Sequence, residues 1–160
     1  MELNLANDEH ARFKQDSGMA DQHIAEKLYQ DSLKHFRTQI PDDRPLGRIE
    51  HAEKLLSRSI KLNPNGQKFF NQLILIKCIQ CNFSAAYELS LHITTENRQI
   101  QLYSQCAKKF RHYSYNLTER PTEEELSEII SYLSTQYKGE LLAGMILEYH
   151  ALVPIALYKQ

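Results

Sequence analysis

The segment from Gln67 to Gln80 constrains the fold more than any other part of the chain, because apolar residues occupy nearly every side of it. Those residues are Phe69, Phe70, Leu73, Ile74, Leu75, Ile76, Cys78 and Ile79. The segment is longer than most single strands, whereas a helix of this length is ordinary. A helix that is apolar on most sides must be covered by neighbours on most sides. The segment is therefore predicted to be the central helix of an array.

The rest of the chain shows the helical spacing of apolar residues that such an array needs. Only 5 Gly and 5 Pro occur in 160 residues, a usage that favours helices over sheets with many turns. The pattern predicts an all-α fold of about seven helices, arranged as three antiparallel pairs and a C-terminal capping helix. The pairs are 22 to 38 with 48 to 62, 67 to 80 with 83 to 95, and 98 to 116 with 122 to 137, and the cap is 140 to 152.

Turn and capping residues separate the predicted helices. The Ile-Pro pair at 40 and 41 ends the first helix, and the Asn-Pro-Asn-Gly sequence at 63 to 66 ends the second. Thr122, with Glu125 three residues later, predicts a capping box at the start of the sixth helix. Pro154 is predicted to end the last helix, because proline cannot donate the next helical hydrogen bond.

The stretch from Ala52 to Ala86 resembles the tetratricopeptide repeat. These two alanines are separated by the 34-residue period of that family, and each stands where the family has a small residue at the crossing of its second helix. Further matching positions are Ile60 to Pro64, Phe70, Leu73 and Phe83. Two positions depart from the family's small residues or glycine, namely Ile74 and Cys81. The resemblance implies a short right-handed superhelix of helix pairs whose first helices line a concave groove.

Composition and charge limit what the chain is expected to bind and where it is expected to work. Residues 1 to 20 are predicted to be a flexible arm or a short helix, and residues 21 to 160 to be a single helical domain. The 19 basic and 20 acidic residues give a net charge of -1, which argues against a nucleic-acid partner. No apolar run approaches the roughly 20 residues that span a membrane, and the first residues are too polar for a secretory signal. We therefore expect a cytoplasmic protein without a membrane partner.

The sequence contains no recognisable catalytic or metal-binding pattern. Its seven histidines lack the Glu-x-x-His or His-Glu-x-x-His spacing of metal sites on helices. Cys78 and Cys81 have the spacing of a redox or zinc pair, but no second cysteine pair follows them. Together with Cys106 they lie in or next to apolar helical segments, and all three are therefore predicted to be buried packing residues. The basic and aromatic run at 108 to 113 is interpreted as a solvated helix face. We expect no enzymatic activity, no cofactor and no metal ion.

The resemblance implies a binding function for the concave groove. Seven residues on the third and fifth helices are predicted to line it: Lys68, Asn71, Leu75, Cys78, Gln105, Lys109 and His112. Of these, Leu75 and Cys78 are expected to be partly exposed. The predicted function is an adaptor or chaperone-like module that holds a peptide or helix of another protein, with a homodimer left open. The alternatives are a bacterial secreted effector on a helical scaffold and a small helical enzyme with an unrecognised site.

Overall fold

A computed structural model describes residues 20–38, 46–94 and 97–158, with side chains as far as residue 151. The regular structure of these ranges consists of seven α-helices and one 3-10 turn, with no strand. They are α1 (20–34), the 3-10 turn (Leu46–Arg48), α2 (Ile49–Leu62), α3 (Gln67–Ile79), α4 (Phe83–Ser90), α5 (Arg98–Lys109), α6 (Glu123–Ser134) and α7 (Gly139–Tyr158). The prediction of an all-α fold with about seven helices is confirmed. The predicted arm at residues 1 to 20 lies, except for its last residue, outside the described residues, and the single domain from 21 to 160 stays a prediction.

The core follows α3, as the apolar pattern of this helix predicts. All eight of its apolar residues named above are buried. The helix packs on α2 and α4, and α5 packs on both α4 and α3. On the remaining side, the ring of Tyr29 in α1 lies 5.3 Å from that of Phe69. The hydroxyl of Ser59 in α2 donates to the carbonyl oxygen of Ala25 at 2.9 Å and so joins α1 to α2. Neighbouring helices therefore cover α3 on most of its surface.

Small buried residues lie in α2 and α4, where these helices meet their neighbours. Ala52 in α2 and Ala86 in α4 have no exposed surface. The contact between α3 and α4 is more extensive than that between α2 and α3 or that between α4 and α5, and side chains of this size let helices approach closely. The predictions that α3 pairs with α4 and that Ala86 is fully buried are both confirmed.

The C-terminal helices are arranged differently from the predicted third pair and cap. α6 packs along α7 rather than along α5. It meets the end of α5 through aromatic side chains, since the ring of Tyr132 lies 5.5 Å from that of Phe110. α7 then returns to α3 and to the 3-10 turn before α2. The predicted pairing of the fifth and sixth helices is therefore wrong, and the last helix covers part of the central helix itself.

The helices α1, α4 and α5 end several residues earlier than their apolar patterns predict, because contacts with other helices replace the helical hydrogen bonds. After α1 ends at residue 34, Phe36 turns into the core and is buried. After α5, Phe110 does the same and lies 5.4 Å, ring to ring, from Phe83. Beyond α4, the side-chain oxygen of Gln67 accepts a hydrogen bond from the backbone N–H of Thr94 at 3.0 Å. Apolar spacing alone does not show where such contacts begin.

The helix α7 continues to Tyr158, so the prediction that Pro154 ends it is wrong. A proline inside a helix removes the hydrogen bond to the carbonyl group four residues earlier, which here belongs to His150. The guanidinium group of Arg120 donates to this carbonyl, with 3.0 Å between Nη2 and the oxygen. A side chain from the segment before α6 thus replaces the donor that the proline lacks.

The turn from α6 to α7 requires glycine. α6 begins with the predicted capping box, in which Thr122 and Glu125 each accept a hydrogen bond from the other's backbone N–H, at 3.2 and 3.0 Å. At the other end of α6, a Cβ added to Gly139 would lie 1.8 Å from the carbonyl oxygen of Leu133. No side chain fits at this distance, so Gly139 fixes how α7 leaves α6.

Candidate functional site

A groove of about 300 Å³ lies between α1, α3 and α5. It is lined from α1 and the residues after it by Tyr29 and Thr38, from α3 by Lys68, Asn71, Gln72 and Leu75, and from the start of α5 by Asn97, Gln99, Ile100 and Tyr103. Alternate helices of the first five thus line one cavity. This arrangement follows from the position of α3, which has α1 on one side and α5 on the other.

The apolar part of the groove is small. Leu75 is 3% exposed and Ile100 is 8% exposed, so both are packing residues that show little surface to the cavity. Tyr103 follows Ile100 by three residues on α5 and adds an aromatic side chain on the same side of that helix. The groove therefore offers one apolar patch beside a larger polar lining.

Two amide side chains on α3 line the groove with their hydrogen-bonding groups unused. The Oδ1 atom of Asn71 and the Oε1 atom of Gln72 are shielded from solvent, and neither has a hydrogen-bond donor in the described part of the chain. A shielded acceptor without a donor costs about 1–3 kcal/mol. Half a turn of the amide group exchanges its oxygen and nitrogen, so each side chain can offer either a donor or an acceptor.

Two phenol groups complete the polar lining. Burial raises the pKa of Tyr29 in α1, and the deeper burial of Tyr103 in α5 raises its pKa further. Both phenols therefore stay protonated at neutral pH and act as neutral hydrogen-bonding groups. Among the residues that the structure describes, neither hydroxyl has a hydrogen-bond partner.

The charge of Lys68 is matched within the protein. Its Nζ atom lies 2.6 Å from a carboxylate oxygen of Glu26 in α1, and both side chains are about half exposed. The hydrogen bond from this ammonium group lowers the pKa of the Glu26 carboxyl. The same ammonium group lies 4.9 Å from the centroid of the Tyr29 ring. The groove thus carries almost no net charge.

Three of the seven predicted groove residues, Lys68, Asn71 and Leu75, line this cavity together. Cys78 does not, since it has no exposed surface and its Sγ atom lies 3.8 Å from the backbone oxygen of Tyr103. The expectation that Leu75 and Cys78 would be partly exposed is wrong for both residues. They face α5 across a close helix contact and belong to the core.

The other three predicted residues lie elsewhere. Gln105 lines a separate cavity of about 240 Å³ next to Tyr137. The ammonium group of Lys109 lies 5.1 Å from the centroid of the Tyr132 ring in α6. The ring of His112 lies 4.0 Å from that of Tyr113. The structure therefore does not bring these residues to the groove.

The error on α5 has a simple cause, because the prediction placed its groove residues one 34-residue period after those of α3. The N-caps of the two helices, Gly66 and Asn97, are only 31 residues apart. An offset of 31 residues instead carries Lys68 to Gln99 and Gln72 to Tyr103, and both of these residues line the groove. The predicted start of α5 at residue 98 is correct, so the error came from counting by the repeat period and not from the start of the helix.

The three cysteines are buried packing residues, as predicted. Cys78, Cys81 and Cys106 are free thiols with no exposed surface. Burial raises the pKa of the Cys106 thiol to about 12, and it also raises the pKa values of the other two thiols. A thiol that stays protonated is a poor nucleophile.

A second cavity, of about 330 Å³, has a polar lining that is already paired. It lies beside the end of α3 and the residues that follow α5. The two carboxylate oxygens of Glu53 accept hydrogen bonds from Lys77 and from Gln80, each at 2.6 Å. The groove between α1, α3 and α5 is therefore the stronger candidate for a binding site.

In residues 20–38, 46–94 and 97–158, no group of three or more His, Cys, Asp or Glu side chains is placed to hold a metal ion. None of the helices found there combines the length and the apolar character needed to cross a membrane. No family model, curated protein or solved structure matches the chain.

Proposed function

We propose that the protein is an interaction module of tetratricopeptide-like helix pairs that holds a segment of another protein in the groove between α1, α3 and α5. Two observations support the repeat-like architecture. Ala52 and Ala86 are one repeat period apart and both fully buried. The alternate helices α1, α3 and α5 line one cavity, as the first helices of stacked pairs do.

The observation that carries the proposal is the unused hydrogen-bonding capacity of the groove. The amides of Asn71 and Gln72 and the hydroxyls of Tyr29 and Tyr103 line one cavity without partners among the described residues. A peptide main chain alternates N–H donors with carbonyl acceptors, and amides and phenols pair with both. A bound segment would therefore satisfy the shielded amide oxygens once the side chains of Asn71 and Gln72 turn towards it, and it would replace water at the two hydroxyls.

Binding accounts for these groups better than catalysis does. Acid–base catalysis at neutral pH works best with a group whose pKa lies near the working pH. Burial moves the pKa values of Tyr29 and Tyr103 upward, away from neutrality. We therefore propose that these residues act as hydrogen-bonding groups for a ligand rather than as proton carriers for a reaction.

The proposal also includes a location and a class of partner. Three free thiols in the core suit a reducing compartment such as the cytoplasm. The groove's ammonium group is already paired with Glu26, so it does not provide the several free cations that a nucleic-acid backbone requires. A protein segment is the partner that we propose.

Selection of a displayed random-peptide library on the full chain tests the proposal. The variant with Asn71→Leu and Gln72→Leu loses both amides, and selected peptides should bind it about tenfold or more weakly than the wild type. Gln105→Leu is the matched control, because it removes an amide from α5 outside the groove and should leave binding unchanged. Equal binding to the double variant and the wild type, or failure to select any peptide, would contradict the proposal.

A further inference from the structure

We propose that the groove selects an extended segment without charged side chains, which places one aliphatic side chain against Leu75 and Ile100. This inference rests on the binding function proposed above and adds the chemistry of the bound segment. It follows from three features of the lining: its charge balance, the positions of its amides, and the size of its apolar patch.

The charge balance of the groove disfavours a charged occupant. An acidic side chain would have to compete with Glu26 for the ammonium group of Lys68, which lies 2.6 Å from it. A basic side chain would be repelled by that ammonium group. It would also find the Tyr29 ring, which could otherwise attract a cation, already approached by Lys68 at 4.9 Å. A charge of either sign therefore lacks a free partner here.

The positions of the amides favour a chain that crosses α3 in extended form. Asn71 and Gln72 are consecutive, so their side chains leave the helix about 100° apart. One short ligand group cannot reach both, whereas an extended main chain carries hydrogen-bonding groups on two sides. Tyr29 on α1 and Tyr103 on α5 stand on either side of these amides as further neutral partners.

The apolar patch has room for one side chain. Leu75 follows Asn71 by one helical turn and therefore lies beside it on the same face. With Ile100 it forms a patch of low exposure in a cavity of about 300 Å³. Binding pockets span roughly 300–1,000 Å³, so this one is small. It suits a few residues of main chain with one aliphatic side chain, and not an apolar helix face.

Three pools of short peptides with acetylated and amidated ends test the inference. All pools contain aliphatic and amide-bearing residues, and two of them add either acidic or basic residues. We expect binders to come from the neutral pool. Their affinity should change by less than about twofold when the salt concentration rises from about 0.05 to about 0.5 M, because screening weakens only charge interactions.

Two variants of the full chain complete the test, with circular dichroism to verify that each one folds. Asn71→Leu should weaken the neutral binders about tenfold. Glu26→Gln removes the carboxylate that pairs with the ammonium group of Lys68 and should raise the affinity of the acidic peptides several-fold. If charged peptides bind the wild type best, or if Glu26→Gln leaves the binding of acidic peptides unchanged, the inference is wrong and the binding function stands. If no pool binds, or if Asn71→Leu has no effect, the proposed function itself is wrong.

Discussion

Two polar regions lie against the central helix α3, and they use their hydrogen-bonding groups differently. In the first region, which surrounds α7, polar side chains of this helix form an ion pair and a hydrogen bond with other parts of the chain. The guanidinium group of Arg37 forms an ion pair with Glu148. The hydroxyl of Tyr149 donates to a carboxylate oxygen of Glu50 at 2.6 Å. At the second region, the groove between α1, α3 and α5, the amides of α3 have no partner among the described residues.

The difference separates groups that stabilise the fold from groups that we propose serve a partner. Buried polar groups are normally paired within a protein, because an unpaired one lowers stability. The contacts of α7 follow that rule, whereas the groove departs from it at two adjacent residues. One exception lies on α7 itself, since the Nε2 atom of His150 is buried without a hydrogen-bond partner among the described residues. Substitutions in the two regions should therefore affect stability and binding separately.

Gly139→Ala should cause the largest loss of stability, because it disturbs the turn that positions α7 against α6. The added Cβ would lie 1.8 Å from the carbonyl oxygen of Leu133, so α7 must move relative to α6 and its polar pairs must shift. We expect a loss of about 3 kcal/mol in the free energy of unfolding, measured in urea. Gly47→Ala is the control, since a Cβ there meets nothing within 4 Å. Equal stability of the two variants would show that the position of α7 is not tightly fixed.

Acid should weaken the α7 region through His150. Burial, and then the charge of Arg120, lower the pKa of His150 from 6.5 to about 4 in the folded protein. Between these two values the unfolded chain binds more protons than the folded protein, so stability should fall as the pH decreases from about 6.5 to about 4. The loss attributable to this group is on the order of 3 kcal/mol.

Urea unfolding of the wild type and of His150→Gln at a series of pH values measures this contribution. Glutamine does not titrate, so the variant should lack this part of the pH dependence and keep only the part due to other groups. Identical pH profiles of the two proteins would show that His150 is protonated in the folded state as readily as in the unfolded chain.

Tyr149→Phe should have a smaller effect than the two changes above. It removes the hydroxyl that donates to Glu50 and leaves a partly buried carboxylate without that donor. We expect a loss of about 2 kcal/mol, in the range for hydrogen bonds to charged groups. Tyr137→Phe is the control, because Tyr137 is an exposed residue on the turn before α7. If the two variants are equally stable, the hydrogen bond between Tyr149 and Glu50 does not contribute to the free energy of unfolding, and the polar pairs of α7 do not stabilise the fold as we expect.

Asn71→Leu should have the smallest effect on stability, in contrast to its effect on binding. The change removes a shielded oxygen that has no partner and introduces a residue that favours helices. We expect the thermal midpoint to stay the same or to rise, by an amount equivalent to at most about 1 kcal/mol. A clear loss of stability would mean that this amide supports the fold and is not held free for a ligand.

The sequence was sufficient for those parts of the fold that depend on local chemistry or on a short period. The apolar pattern of α3, the buried Ala52 and Ala86, and the capping box of Thr122 and Glu125 are all as predicted. Each of these features depends on residues within one helix or within one pair of helices. Side-chain size and backbone hydrogen bonding determine them directly.

The predictions that were wrong concern features that depend on contacts between segments distant in sequence. Pro154 does not end α7, because Arg120 supplies a donor to the carbonyl that the proline leaves unpaired. α6 does not pair with α5, because it packs along α7, which itself packs on the central helix α3. In the groove, Lys68, Asn71 and Leu75 were found on α3, whereas the residues of α5 were missed because they were placed by a fixed repeat period and not counted from the start of that helix. The residues from α1 were not predicted.

We propose that the amides of Asn71 and Gln72 in the groove bind a peptide main chain. The most direct measurement is an NMR titration of isotope-labelled protein with a binder from the neutral peptide pool, following the side-chain amide signals. We expect the signals of Asn71 and Gln72 to shift with the same affinity, while that of Gln105 stays in place. Shifts confined to Gln105 and its cavity, with Asn71 and Gln72 unchanged, would contradict the claim.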